Sequence, residues 1–134
     1  MFLEKLRKVV EKNPSLSEVI NELHKLLIEL NEELKPLAII ITGSIAKGEF
    51  VMGLSDIDIV LIINEAHRHS RFLLRVIRNI NVEISIYSLD EVKKAIEIGN
   101  QFITTAINSG IVIKGLEIIE ELRMHSTRYS QTQN

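Results

Sequence analysis

The chain has no cysteine and no tryptophan, only two prolines, and aromatic residues at 4%. Without cysteine there is no disulfide framework, no thiolate zinc site and no cysteine nucleophile. An excess of positive charge is missing too: 16 lysines and arginines stand against 18 acids, a net charge of −2. Binding to nucleic acid through its phosphates normally needs a clear basic excess, so no direct nucleic-acid binding is expected. Long apolar runs are absent, and none approaches the roughly 18 residues of a membrane-spanning helix. Met1 to Glu11 mixes acids and bases with its apolar residues, unlike the core of a secretory signal. A cytoplasmic protein with no membrane association is the expectation.

What is present suits a globular fold. The chain has 134 residues, 46% hydrophobic and 25% charged, enough for one domain with its own core. Residues 2–12 read as an amphipathic helix stopped by Asn13-Pro14. Ser15 and Glu18 form a capping-box pattern that opens a second helix, ended by Pro36. Leu37–Thr42 reads as a buried strand, followed by Gly43-Ser44 and a connector over 45–54. Ser55–Ile63 is the second strand, residues 65–79 a helix, and Asn81–Ser88 a third strand alternating Val82, Ile84 and Ile86 with polar residues. Ser88 and Glu91 cap one long helix running to Ser109. A brief extended segment, Ile111–Lys114, precedes a last helix, Leu116–Arg123. Residues 1–123 thus read as a single α/β (α+β) domain, a small sheet flanked by helices, with 124–134 a frayed polar tail.

Chemistry gathers at the strand ends. Side chains at i and i+2 of a strand share a face, so Asp56 and Asp58 point together while Ile57 and Ile59 enter the core. Two such carboxylates repel each other unless a cation or a proton lies between them. A hard divalent cation such as magnesium answers that need. Gly43 leaves room for backbone to approach a phosphate, and the Ser44 hydroxyl with nearby amides offers donors. Glu83 supplies a further acid on the third strand.

Other features have plainer readings. Arg68, Arg71, Arg75 and Arg78 mark the solvated face of the 65–79 helix, or else a docking stripe for an acidic partner, and His67 and His69 are not spaced to share a metal on a helix. Phe50-Val51-Met52 is an unusually apolar connector, read as folding over the core or as a surface that contacts a partner or a base.

The stretch Gly43–Val60, GSIAKGEFVMGLSDIDIV, resembles the signature of the minimal nucleotidyltransferases in the DNA polymerase β superfamily. A weaker likeness extends over the core, residues 37–114. The resemblance implies a mixed-sheet fold and chemistry with two magnesium ions and ATP as donor. It places metal ions on Asp56, Asp58 and Glu83, which are also the catalytic acids, and the triphosphate on Gly43, Ser44, Lys47 and Ser55. Two positions depart from the pattern: Lys47 stands where arginine is usual and loses a bidentate fork, and Glu83 stands where aspartate is usual. The resemblance further implies AMP transfer to a hydroxyl on a small helical protein of the HEPN type, with this chain as antitoxin, found through a homo- or hetero-oligomer. The alternative is a nucleotide-binding module that acts on its partner without chemistry.

Overall fold

The buried strand expected near residue 40 is β1, Ala38–Thr42, and all five of its residues are buried. The structure is a computed structural model that describes residues 1–65 and 71–133. Ahead of β1 come α1 (Leu3–Lys12), a 3₁₀ turn over Pro14–Val19 and α2 (Ile20–Leu34). A five-residue helix, α3 (Gly43–Lys47), follows β1 directly and occupies part of the expected connector. Then come β2 (Ile57–Ile63), β3 (Phe72–Ile77) and β4 (Ile80–Ser88). The chain ends with α4 (Leu89–Glu97), α5 (Gln101–Ser109), β5 (Ile111–Lys114) and α6 (Leu116–Gln133).

The strands form one sheet in the order β3-β4-β2-β1-β5, with β2 and β4 parallel and the other pairs antiparallel. This is the mixed sheet flanked by helices that the sequence led us to expect. Alternation assigns the two faces. Ile39, Ile41, Ile57, Ile59, Leu61, Val82 and Ile84 pack with α1 and α2, through residues such as Leu6, Val9, Leu23 and Leu27. Ala38, Ile40, Val60 and Ile62 pack with Val92, Ile96, Ile103, Ile107 and Ile119 from α4, α5 and α6. A fully buried leucine or isoleucine contributes about 1.5–3 kcal/mol, so both helical layers are held tightly to the sheet. Among the described residues no helix is long and apolar enough to cross a membrane.

Four local expectations need correction. Where a helix was expected over 65–79, the described residues from 72 on are instead β3 and a two-residue turn: Arg78 and Asn79 both take positive φ, 45° and 68°, as a tight hairpin requires. The arginine face dissolves with that helix. Arg71 pairs with Glu91 at 3.0 Å and Arg78 with Glu22 at 2.8 Å, while Arg68, His67 and His69 lie outside the described residues. The Ser15 capping box does not form, because the 3₁₀ turn occupies that stretch and α2 begins only at Ile20.

The helix expected from Ser88 to Ser109 is two helices. Gly99 breaks it at φ +75°, and the Asn100 side chain caps α5 by accepting from the Ile103 N–H. The Ser88–Glu91 capping box itself is present and reciprocal. Finally, the polar tail is helical: α6 runs on to Gln133. Docking explains it better than composition does. Ser126 is buried and accepts from Asn108, and the Arg123 guanidinium donates to the Ile107 carbonyl at 2.8 Å.

Candidate active site

Parallel pairing between β2 and β4 sets Asp58 beside Glu83 in register. Register partners project to the same side of a sheet, so both acids stand on the face that carries α4 and α5. Asp56 precedes β2 by one residue. All three are partly buried. The Asp58 and Glu83 carboxyl groups lie within hydrogen-bond reach of each other. Burial, then the Glu83 contact and charge, then the Asp56 charge, push the Asp58 carboxyl from 3.8 up to about 6. A carboxyl that is half-buried beside other carboxylates resists ionising, which is why this one is raised. Among the described residues none of the three acids takes part in an ion pair.

Crowded oxygen donors without a cationic partner fit a hard divalent cation in charge and chemistry. In spacing they are not yet a cage. Among the described residues no three His, Asp or Glu side chains are grouped to hold a metal ion as they stand.

The turn after β1 completes one wall. Thr42, buried, is the register partner of Asp58 on the other side of β2. Gly43 follows at φ +67°, and a side chain there would collide with the Asp58 carboxylate. Glycine at this position therefore answers two needs at once, a left-handed backbone and room for an acid. Ser44 sits in the first turn of α3, partly buried, and Lys47 extends from its exposed end.

A cavity of about 390 Å³ opens between this turn and α5. Gly43, Ala46 and Lys47 line one side, and Gln101, Phe102 and Thr105 the other. Gly43 therefore touches the cavity and the acid cluster together. The volume falls in the ordinary range for a small-molecule site. Of the expected triphosphate residues, Gly43 and Lys47 are on the cavity wall and Ser44 and Ser55 are not. The Ser55 hydroxyl instead accepts from the Val51 N–H at 2.9 Å, closing the loop that leads into β2. Residues 50–54 divide: Phe50 is buried over the core as expected, whereas Val51, Met52 and Leu54 are exposed.

Reading the sequence missed the contribution of α5. Its exposed Gln101, Phe102 and Thr105 alternate with buried Ile103, Ala106 and Ile107 at helical spacing, a signal hidden once Gly99 was read through. It also missed β3, whose Phe72, Leu74 and Val76 stay 51%, 54% and 62% exposed on the face of the acids. Leu74 is the register partner of Glu83 itself.

Residues 23–113 match the family model of the nucleotidyltransferase domain. No curated protein matches the chain.

Proposed function

The chain belongs to the nucleotidyltransferase domain family, and on that premise we propose that it transfers AMP from ATP, with magnesium, to a hydroxyl of a partner protein. The observation that carries this is the meeting of Asp58, Glu83 and Asp56 beside the Gly43 turn. Asp56, Asp58 and Glu83 would hold the magnesium ions, which when bound neutralise phosphate charge and stabilise the leaving pyrophosphate. Gly43 and Ser44 offer backbone and hydroxyl to the triphosphate, and Lys47 adds a positive charge to the cavity wall. The cavity against α5 receives the nucleoside, with Phe102 as its apolar surface and Gln101 and Thr105 as polar contacts.

Chemistry at the reacting centre is simple to balance. The acceptor oxygen forms a bond to the α-phosphorus as the bond from that phosphorus to the bridging oxygen breaks. Pyrophosphate leaves, and the hydroxyl proton passes to Glu83. Positioning and charge do most of the work in such transfers. A polypeptide acceptor is favoured by the apolar row Phe72, Leu74 and Val76 beside Glu83, since a small polar acceptor gains nothing from it. A HEPN-type helical toxin remains the partner we assign, with this chain as its antitoxin. We place it in the cytoplasm, where ATP is supplied.

The test is transfer of label from ATP labelled at the α-phosphate, with magnesium and the co-expressed partner, against an Asp58→Asn control. Labelled partner with wild type alone is the expected result. The contact between Asp58 and Glu83 favours one other reading, a binding module whose acids hold a proton rather than a metal. Nucleotide binding with no pyrophosphate released at any magnesium concentration would establish that reading instead.

A further inference from the structure

The segment matched to the family begins at residue 23, yet residues ahead of it reach the turn beside the acids. Asn13, at the end of α1, is 3% exposed. Its amide nitrogen donates to the Val9 carbonyl at 3.2 Å and to the Ile45 carbonyl at 2.9 Å. Its amide oxygen accepts from the Phe50 N–H at 3.1 Å. Both donor hydrogens and the acceptor are thus used, two of the three bonds going to the segment that begins with Gly43. The neighbouring Lys12 ammonium donates to the Ala46 carbonyl at 2.9 Å.

A five-residue helix cannot hold itself in water, and the last carbonyls of any helix lack partners within it. At α3 the Ile45 carbonyl accepts from the Gly48 N–H and from Asn13, and the Ala46 carbonyl accepts from Lys12. The far end of the turn is fixed by Phe50, buried in the core and tied to Asn13. α1 is itself anchored by Phe2, Leu6 and Val9 in the core layer beneath the sheet. The chain of support therefore runs from core to α1, to Asn13, to α3, and so to Gly43 and Lys47.

We propose that Asn13, assisted by Lys12, is a positioning residue for the nucleotide: it holds α3 so that Gly43, Ser44 and Lys47 meet the triphosphate in one geometry. The inference rests on the proposed nucleotide site and adds a part of it from outside the matched domain. An asparagine suits this place better than a charged residue, since it needs two donors and one acceptor without burying a charge.

The experiment titrates full-length protein with a fluorescent ATP analogue and magnesium, alongside melting curves and amide hydrogen exchange of residues 44–50. Three variants are compared: Asn13→Ala, Lys12→Met and Leu6→Ala. Leu6 is buried in the same helix and packs in the core, and its aliphatic side chain makes no hydrogen bond to α3, so its variant reports a general loss of stability. Asn13→Ala should weaken analogue binding at least tenfold and speed exchange across 44–50 by a similar factor. Leu6→Ala should bind within twofold of wild type at temperatures where it is folded. Lys12 is exposed, so Lys12→Met will fold, and it should weaken binding about threefold. Equal losses in Asn13→Ala and Leu6→Ala would reduce Asn13 to a packing residue and overturn the inference. Should Asn13→Ala fail to fold, unchanged binding by Lys12→Met would overturn it. Failure of wild type to bind the analogue would remove the nucleotide site itself, an outcome distinct from any pattern among variants.

Discussion

The space beside Gly43 that a side chain would fill is already taken by the Asp58 carboxylate. The glycine that opens the turn after β1 and the acid that faces it are therefore fitted to one another. Gly43→Ala should be costly although it adds a single methyl. Its φ of +67° strains any other residue, and the methyl must displace Asp58. We expect loss of metal-dependent nucleotide binding by more than tenfold, with a modest fall in melting temperature. Retained affinity in a titration would show that Asp58 moves aside freely and does not depend on the turn.

Glu83 stands where the resemblance implies aspartate, and its contact with Asp58 makes its role testable. Glu83→Gln should lower turnover by two or more orders of magnitude, about 3 kcal/mol of barrier, while nucleotide affinity changes little. Glu83→Asp should keep measurable activity, because β4 register holds either carboxylate on the same face. Turnover by Glu83→Gln at the wild-type rate would exclude it as the proton acceptor.

The raised Asp58 pKa gives a pH dependence with a definite sign. The folded state holds that proton more tightly than the unfolded chain, about 6 against 3.8. This contribution is full below the unfolded value and is lost as pH rises through about 6. The metal-free protein should therefore lose melting temperature between roughly pH 4 and 6 relative to Asp58→Asn, the variant lacking this titration. Metal has the opposite dependence, since it needs the ionised acid: magnesium or manganese should stabilise above pH 6 and progressively less below it. Metal stabilisation independent of pH across this window would show binding elsewhere.

The β3 row separates acceptor docking from nucleotide binding. Val76→Lys places a charge on the same exposed row opposite Asn81 rather than Glu83, so the fold should hold. Nucleotide affinity should stay within twofold, and transfer to the partner should fall at least tenfold through a higher KM. An unchanged KM for the partner would move docking away from this face.

How much was legible depended on whether the signal was local. The acid pair, the glycine turn and the strands β1, β2 and β4 follow from alternation and from spacing within a few residues. Glu83 was readable as an acid on a strand, but its seat beside Asp58 depends on the parallel register of β2 and β4, which no local pattern encodes. β3 failed as a reading because Phe72-Leu73-Leu74 and Val76-Ile77 suit helical and strand periods alike, and the Arg78-Asn79 turn lacks the glycine that usually marks a hairpin. Asn13 looked like a helix stop, which it is. Its second task is visible only once α1 and α3 are side by side.

The parallel partnership of β2 with β4 also bears on how the molecule comes together. β3 and β4 form a hairpin through a two-residue turn, a contact that can close early, whereas β4 must then find β2 across the whole connection. Long-range parallel pairing is slow to form because loop closure precedes any gain from contact. Here that pairing also sets Glu83 against Asp58, so like charges meet as β2 and β4 join. A divalent cation or a lower pH should for this reason speed refolding as well as stabilise the product.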